Sequence, residues 1–348
     1  DRLCRGRLTA PGPPTTMKDE DTVMRSLTHD SFGEPEDVLR LTEEDVPESS
    51  AGQVRIRVVL SPVHNHDIWT IRGTYGFVPD LPAPAGTEVL GTVDAVGSGV
   101  TGLEAGKRVV SGTSFGVWAE YALVDAADVI PVPDQLPDDR AAQLVSMPFS
   151  AISLLDFLQL HEGDWLIQNS ANGAVGRILA QLAKARGIHV IGLVRRDAAV
   201  ADLAAEGITD VLSTEDPAWR EKLQEITGGA RVATGLDSVG GQATADLVSV
   251  LGEGATLVCF GAMGDPTMTI PSGPVIFKDI TVRGFWGSKI SQEMNPAKKS
   301  ELFGELITRL SEGSVTLPVE GIFDASDFRE AMISSMSSGR TGKVLLRF

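Results

Sequence analysis

Cysteine is nearly absent: Cys4 and Cys259 are the only two in 348 residues. Neither a disulfide framework nor a Cys-rich metal site can be built from them, and the chain reads as the product of a reducing, cytoplasmic compartment. Long apolar runs are missing too. The hydrophobic stretches, at 54–60 and 189–194 for example, are strand-sized and far short of the roughly 20 residues a membrane-spanning helix needs. Basic residues are outnumbered, 30 Lys and Arg against 47 Asp and Glu, and the net charge of −17 argues against nucleic acid or an anionic membrane surface as partner. Internal repeats and low-complexity segments are also lacking. What remains is ordinary globular material, 42% hydrophobic and 22% charged, in a chain longer than one core usually organises. Two domains are expected. Residues 1–16, Arg- and Pro-rich and ending just before Met17, are expected to stay outside the fold.

Between about 54 and 132 short β-rich runs alternate with Gly and Pro, which predicts an all-β barrel-like or sandwich-like domain. From about 138 the texture changes. Helices are expected over 138–158, 175–185, 202–206 and 219–226, and strands over 164–168, 189–194, 233–236, 255–260 and 280–285. That alternation predicts an α/β domain with a doubly wound parallel sheet. After Trp286 a helix over 298–311, a strand at 321–324, a helix over 327–337 and a closing strand over 343–348 are expected. This tail cannot extend the parallel sheet without further crossovers, so it is assigned back to the first domain.

The strand at 164–168 runs into Asn169-Ser170-Ala171-Asn172-Gly173-Ala174-Val175-Gly176, and Val175, Ile178, Leu179 and Leu182 then recur at helical spacing. Ala171-x-Gly173-x-x-Gly176 is a dinucleotide fingerprint with its first glycine replaced by alanine. Gly173 lets the backbone approach a pyrophosphate, and Gly176 lets helix and strand pack closely. The helix N-terminus supplies amide donors and positive dipole. Asn172, Gly173, Ala174, Val175 and Gly176 are therefore candidate cofactor contacts. The second strand ends at Arg195-Arg196, where an NAD enzyme places a carboxylate for the ribose hydroxyls. Guanidinium groups there bind a 2′-phosphate instead, so the cofactor is read as NADPH.

With these segments in view the chain resembles the medium-chain dehydrogenase/reductase superfamily over essentially all of 17–348. Within it, the similarity is greatest to mitochondrial-type 2-enoyl thioester reductases, with quinone oxidoreductases as near relatives. It rests on Asp67-Ile68-x-x-Ile71-x-Gly73-x-Tyr75-Gly76, on Leu166-Ile167-Gln168-Asn169-x-Ala171-Asn172, and on Ile276-Phe277-Lys278-Asp279-x-x-x-Arg283-Gly284-Phe285-Trp286. The resemblance implies a GroES-like catalytic domain from 17–140 and 289–348 around a Rossmann NADPH-binding domain at 141–288. It implies a homodimer joined through an edge of the Rossmann sheet.

Zinc-dependent members of the superfamily place Cys, His and Cys around a catalytic zinc. The matching positions here are His64, Thr87 (in Gly86-Thr87-Glu88) and about Met147, and the Cys lobe for a structural zinc is missing. No zinc is expected, because a catalytic site uses three protein ligands. His64 and His66 then read as ordinary polar loop residues, and Asp67 as a brace of its loop. Without a metal, hydrogen-bond donors must stabilise the charge left by hydride transfer. Tyr75, one of only two tyrosines, matches the proton-donating tyrosine of the enoyl reductases. Phe260-Gly261-Ala262 and Phe285-Trp286 match segments lining the nicotinamide and the substrate cleft, and Lys343 matches a position approaching the cofactor. Trp286 reads equally as a core or interface aromatic. Lys289, Lys298 and Lys299 form a local basic patch for a polyanionic thioester. Three readings stand: reduction of a conjugated C=C in a small-molecule substrate, quinone reduction, or NADPH binding without turnover, as in a sensor.

Overall fold

The computed structural model describes residues 22–112, 114–337 and 340–348. The expected leader and Cys4 lie outside them. Six apolar strands build a wholly parallel sheet: β1 (Trp165–Gln168), β2 (His189–Val194), β3 (Val211–Ser213), β4 (Val232–Asp237), β5 (Thr256–Cys259) and β6 (Thr281–Gly284). Their order is β3–β2–β1–β4–β5–β6. The direction of winding reverses between β1 and β4, which leaves a crevice at the carboxyl ends of those strands. Between β1 and β2 runs helix α1 (Ala174–Ala185), whose buried Ile178, Leu179, Leu182 and Ala183 form one helical stripe.

The β-rich part is a seven-stranded sheet ordered around Gln53–Pro62, which pairs with Val89–Val96, Tyr121–Asp125 and the closing strand. The closing strand Lys343–Arg347 lies antiparallel to it, with Leu345 opposite Pro62, and parallel to Val319–Asp324. The chain end thus returns to the first sheet. One apolar core joins both halves: Leu60, Leu90 and Val110 share a cluster with Ile152, Leu166, Leu179 and Leu306. Phe149 and Phe303 stack across it with centroids 4.2 Å apart. Each such buried side chain contributes about 1.5–3 kcal/mol.

Several expectations are corrected. The helix expected over 138–158 is two, Asp138–Ala141 and Ser146–Phe157. Between them the N–H groups of Val145 and Ser146 donate to the Glu88 carboxylate, at 2.6 and 3.1 Å. A side chain distant in sequence thus caps the second helix, and no local pattern reveals it. The helix expected at 202–206 begins earlier, as Asp197–Ala205. Strand β3 and helix Gly241–Val250 were not expected. The first is three residues long, and the second opens on Gly240 and Gly241, both at positive φ, which reads locally as a turn. Trp286 is 69% exposed and so is no core residue. Lys298 does not offer a free charge, since it pairs with Asp156 at 3.0 Å and Glu301 at 3.1 Å.

Candidate active site

The turn after β1 has the shape a pyrophosphate needs. Ser170 takes the left-handed conformation (φ +49°) that makes the sharp bend. A Cβ on Gly173 would sit 3.1 Å from the Ser170 carbonyl, and one on Gly176 2.9 Å from the same oxygen. Asn172 and Ala174 are exposed, Val175 is half-buried against the core, and Gly176 is buried. No side chain caps the first amides of α1, whose N-cap is Gly173. Open amides at a helix N-terminus attract an anion.

Alanine at the fingerprint's first position is accommodated from across the sheet. Ala171 is buried, and an added Cβ on Gly192 of β2 would stand 2.7 Å from the Ala171 methyl. The missing side chain has moved from the turn to the neighbouring strand. Arg195 and Arg196 follow β2, exposed. At the switch point Asn169 ties the strand ends together: its Nδ2 donates to Asp237 Oδ1 at 2.6 Å, and its Oδ1 accepts from the Ser238 N–H at 2.9 Å. These residues fit a nicotinamide dinucleotide, with phosphates at the Gly173 turn.

A second cluster lies at the start of helix Asn65–Ile71. His64 is corrected here from a loop residue to a buried one: it is 1% exposed and its Nε2 lies 2.6 Å from Glu88 Oε2. Burial drives the Glu88 carboxyl up to about 7 and holds His64 well below the ordinary histidine range. One proton between them therefore leaves the pair neutral around neutral pH. His64 Nδ1 is buried with no hydrogen-bond partner among the described residues. Asp67 braces the helix start, accepting the His64 N–H at 2.8 Å and the Thr87 hydroxyl at 2.7 Å. His66, also no plain loop residue, contacts Thr87 Oγ1 through Nε2 at 2.8 Å.

Lys343 joins this cluster from the closing strand. Its ammonium donates to the Val63 carbonyl at 3.3 Å, and burial together with the Arg340 charge brings it down to about 8. Arg177 of α1 holds that strand's approach by donating to the Thr341 carbonyl at 2.8 Å. The nucleotide helix and the polar cluster are thereby tied together. Tyr75 stands at the cluster's outer side, 40% exposed, its ring 6.0 Å from His66 and 6.4 Å from Trp69.

The other sequence-derived candidates separate. Phe260 and Gly261 are half-buried at the end of β5, where a Cβ on Gly261 would meet the Ser238 carbonyl at 3.1 Å; Ala262 is exposed. The Phe285 ring is buried against Phe157 and its N–H donates to the Cys259 carbonyl at 2.8 Å, whereas Trp286 projects outward. Burial raises the Cys259 thiol, which disfavours the reactive thiolate. Zinc does not fit: His64 Nε2 and both Glu88 oxygens are committed, and among the described residues no three His, Cys, Asp or Glu are arranged to hold a metal ion.

Comparison with known proteins agrees with both halves of this geometry. Residues 50–134 match the alcohol dehydrogenase GroES-like domain and 174–300 the zinc-binding dehydrogenase domain. The chain is 31% identical over 333 residues to the mitochondrial enoyl-[acyl-carrier-protein] reductase of Homo sapiens, covering 94% of this chain and 89% of that protein. It belongs to the medium-chain dehydrogenase/reductase superfamily. The fold of a putative NADPH:quinone reductase from Bacillus thuringiensis is similar, with a TM-score of 0.84, 26% identity and coverage of 94% and 99% of the two chains. So is that of a mycobacterial protein in complex with NADPH, with a TM-score of 0.79, 27% identity and coverage of 93% and 100%. This superfamily member is an oxidoreductase, and the reading as a sensor without turnover falls away.

The His64–Glu88 pair imposes a pH dependence on stability. Glu88 titrates near 4.5 when unfolded and about 7 when folded, so across that window the folded state binds the extra proton and its stability falls as pH rises. His64 acts oppositely, since its folded value is depressed. In Glu88→Gln the first effect is removed. The melting temperature of the variant minus that of the wild type should therefore rise from about pH 5 to about pH 8, read by calorimetry. A constant difference would mean that Glu88 titrates as it does in water.

Proposed function

We propose that this chain is an NADPH-dependent reductase that delivers hydride to the conjugated C=C of a 2-enoyl thioester or a related enal or enone. The observation that carries the reading is Tyr75, an exposed phenol beside a buried polar cluster and an apolar lip of Phe77, Val78 and Phe115. Phe77 and Phe115 approach to 4.6 Å between centroids, an apolar wall suited to an acyl or alkenyl chain. Bound NADPH supplies the hydride. The chain holds its pyrophosphate at Gly173–Gly176 and its 2′-phosphate at Arg195 and Arg196. Tyr75 hydrogen-bonds the substrate as negative charge develops and gives its proton to the α-carbon. Lys343, a buried cation coupled to Asp67 and Glu88 of the cluster, adds positive potential.

Quinone reduction is the second reading, favoured by the pairing of Lys298 with Asp156 and Glu301. That pairing leaves less positive charge for a carrier thioester in a chain of net charge −17. NADPH oxidation with crotonyl-CoA, an α,β-unsaturated aldehyde and a benzoquinone side by side separates the two readings. The first expects turnover of an enoyl or enal substrate; rapid benzoquinone reduction with both of those inert would replace it. Tyr75→Phe should lower kcat on the best alkene about 10²–10⁴-fold with NADPH affinity little changed. Unchanged turnover would remove Tyr75 from the chemistry.

Two features beyond the chemistry belong to the same reading. Replacing Arg195 and Arg196 by alanine should raise KM for NADPH about 10-fold or more and leave that for NADH nearly unaltered, since each charge-assisted hydrogen bond is worth about 1.5–3 kcal/mol. Equal losses with both cofactors would refute a 2′-phosphate contact. The β6 edge is exposed along its length and carries Val282 next to exposed Ile276 and Phe277. An apolar edge of that kind is a template for a second strand, so two copies pair there as a homodimer. Val282→Lys should then halve the mass seen by sedimentation, and a wild-type chain that sediments singly rules the pairing out.

A further inference from the structure

We propose that His66 relays protons to Tyr75, its imidazole locked in one tautomer by the Thr87 hydroxyl and the Asp67 carboxylate. The inference rests on Tyr75 as the proton donor and adds a residue that none of the family motifs quoted above contains; Asp67, the next residue, is where the first of them begins. The tautomer follows from donor counting. Thr87 has a single hydroxyl proton and donates it to Asp67 Oδ1 at 2.7 Å. Toward His66 Nε2, 2.8 Å away, the hydroxyl is therefore the acceptor, and Nε2 carries the hydrogen. In neutral His66 the lone pair is then on Nδ1.

Each member of this chain is itself held. Asp67 is 2% exposed, and its second oxygen accepts the His64 N–H. The His66 ring stacks on His64 with centroids 4.9 Å apart and planes 18° from parallel. The centroid of the Tyr75 ring lies 6.0 Å from that of His66, and the relay places one bridging water or substrate atom between the two side chains. His66 is 23% exposed and so keeps contact with solvent. The charges around it suit a transient imidazolium: Asp67 Oδ1 lies 3.6 Å from Nε2, and burial keeps the stacked His64 neutral.

The steps balance. When Tyr75 protonates the α-carbon, its O–H bond breaks, a C–H bond forms and a phenolate remains. His66, protonated at Nδ1 by solvent, passes that proton to the phenolate oxygen, directly or across one water, and returns to its neutral Nε2–H form. One solvent proton is consumed per hydride, the stoichiometry of reducing a C=C bond.

Two variants test this. In His66→Gln the side-chain amide still donates to Thr87 and cannot shuttle a proton; in His66→Ala the position is vacant. Both should bind NADPH with the wild-type Kd, read by nucleotide fluorescence, and lose about 10-fold or more in kcat. Added imidazole should restore turnover to His66→Ala. In a Tyr75→Phe background, His66→Gln should cost little more, because residues acting as a unit are non-additive. Wild-type kcat in His66→Gln, no rescue by imidazole, or losses that multiply independently would each overturn the relay. If Tyr75→Phe alone is slow, only the relay falls; if Tyr75→Phe turns over normally, the proton-donor reading falls with it.

Discussion

The buried carboxylate of Glu88 is the constraint on which the rest of the site depends. One oxygen takes the N–H groups of Val145 and Ser146, and the other meets His64. A carboxylate at a helix N-terminus is favoured by the helix dipole, yet full burial opposes its charge. The compromise is a proton shared with His64, which keeps the cluster hydrogen-bonded without isolating a charge. Because Glu88 immediately precedes the Val89–Val96 strand of the β-rich sheet and the helix it caps packs on the core common to both halves, the same bond orients the two halves against each other. Asp67, Thr87 and His66 inherit their positions from that arrangement.

A second constraint operates at the nucleotide turn. Close approach of backbone to phosphate needs room, and the room is a property of two strands rather than of the turn alone. Ala171 fits because Gly192 has no side chain, and the bend itself is carried by Ser170 at positive φ. A fingerprint with one glycine missing is therefore not weakened, provided the neighbouring strand supplies the space.

This exchange also marks where reading the sequence succeeds. The strand, turn and helix of 164–185 were legible because their signals are local: an apolar run, glycines at fixed offsets and a helical stripe. The return of the closing strand was legible by topology, since a tail with too few crossovers cannot extend a parallel sheet. What escaped was set by distant partners. The break at 142–145 depends on Glu88, and the burial of His64 depends on the same residue, more than twenty positions along the chain. The only signal for the latter was that His64 and Thr87, the neighbour of Glu88, match positions where zinc-dependent relatives hold a metal, which pointed to proximity of the two segments.

A zinc ion would supply a fixed positive charge, whereas here the buried charges cancel in pairs: Glu88 with His64 through a proton, Asp67 against Lys343 through space. A cluster whose buried charges are paired in this way does not bind an anion strongly in the ground state. In the proposed reaction Lys343, partly discharged by burial and by Arg340, gains most when negative charge appears close by during hydride transfer. The chain's overall −17 is of little consequence at that distance, because exposed charges are screened within about 8 Å whereas these buried ones are not. The local arrangement of donors, and not the net charge, governs which anionic transition state the site stabilises.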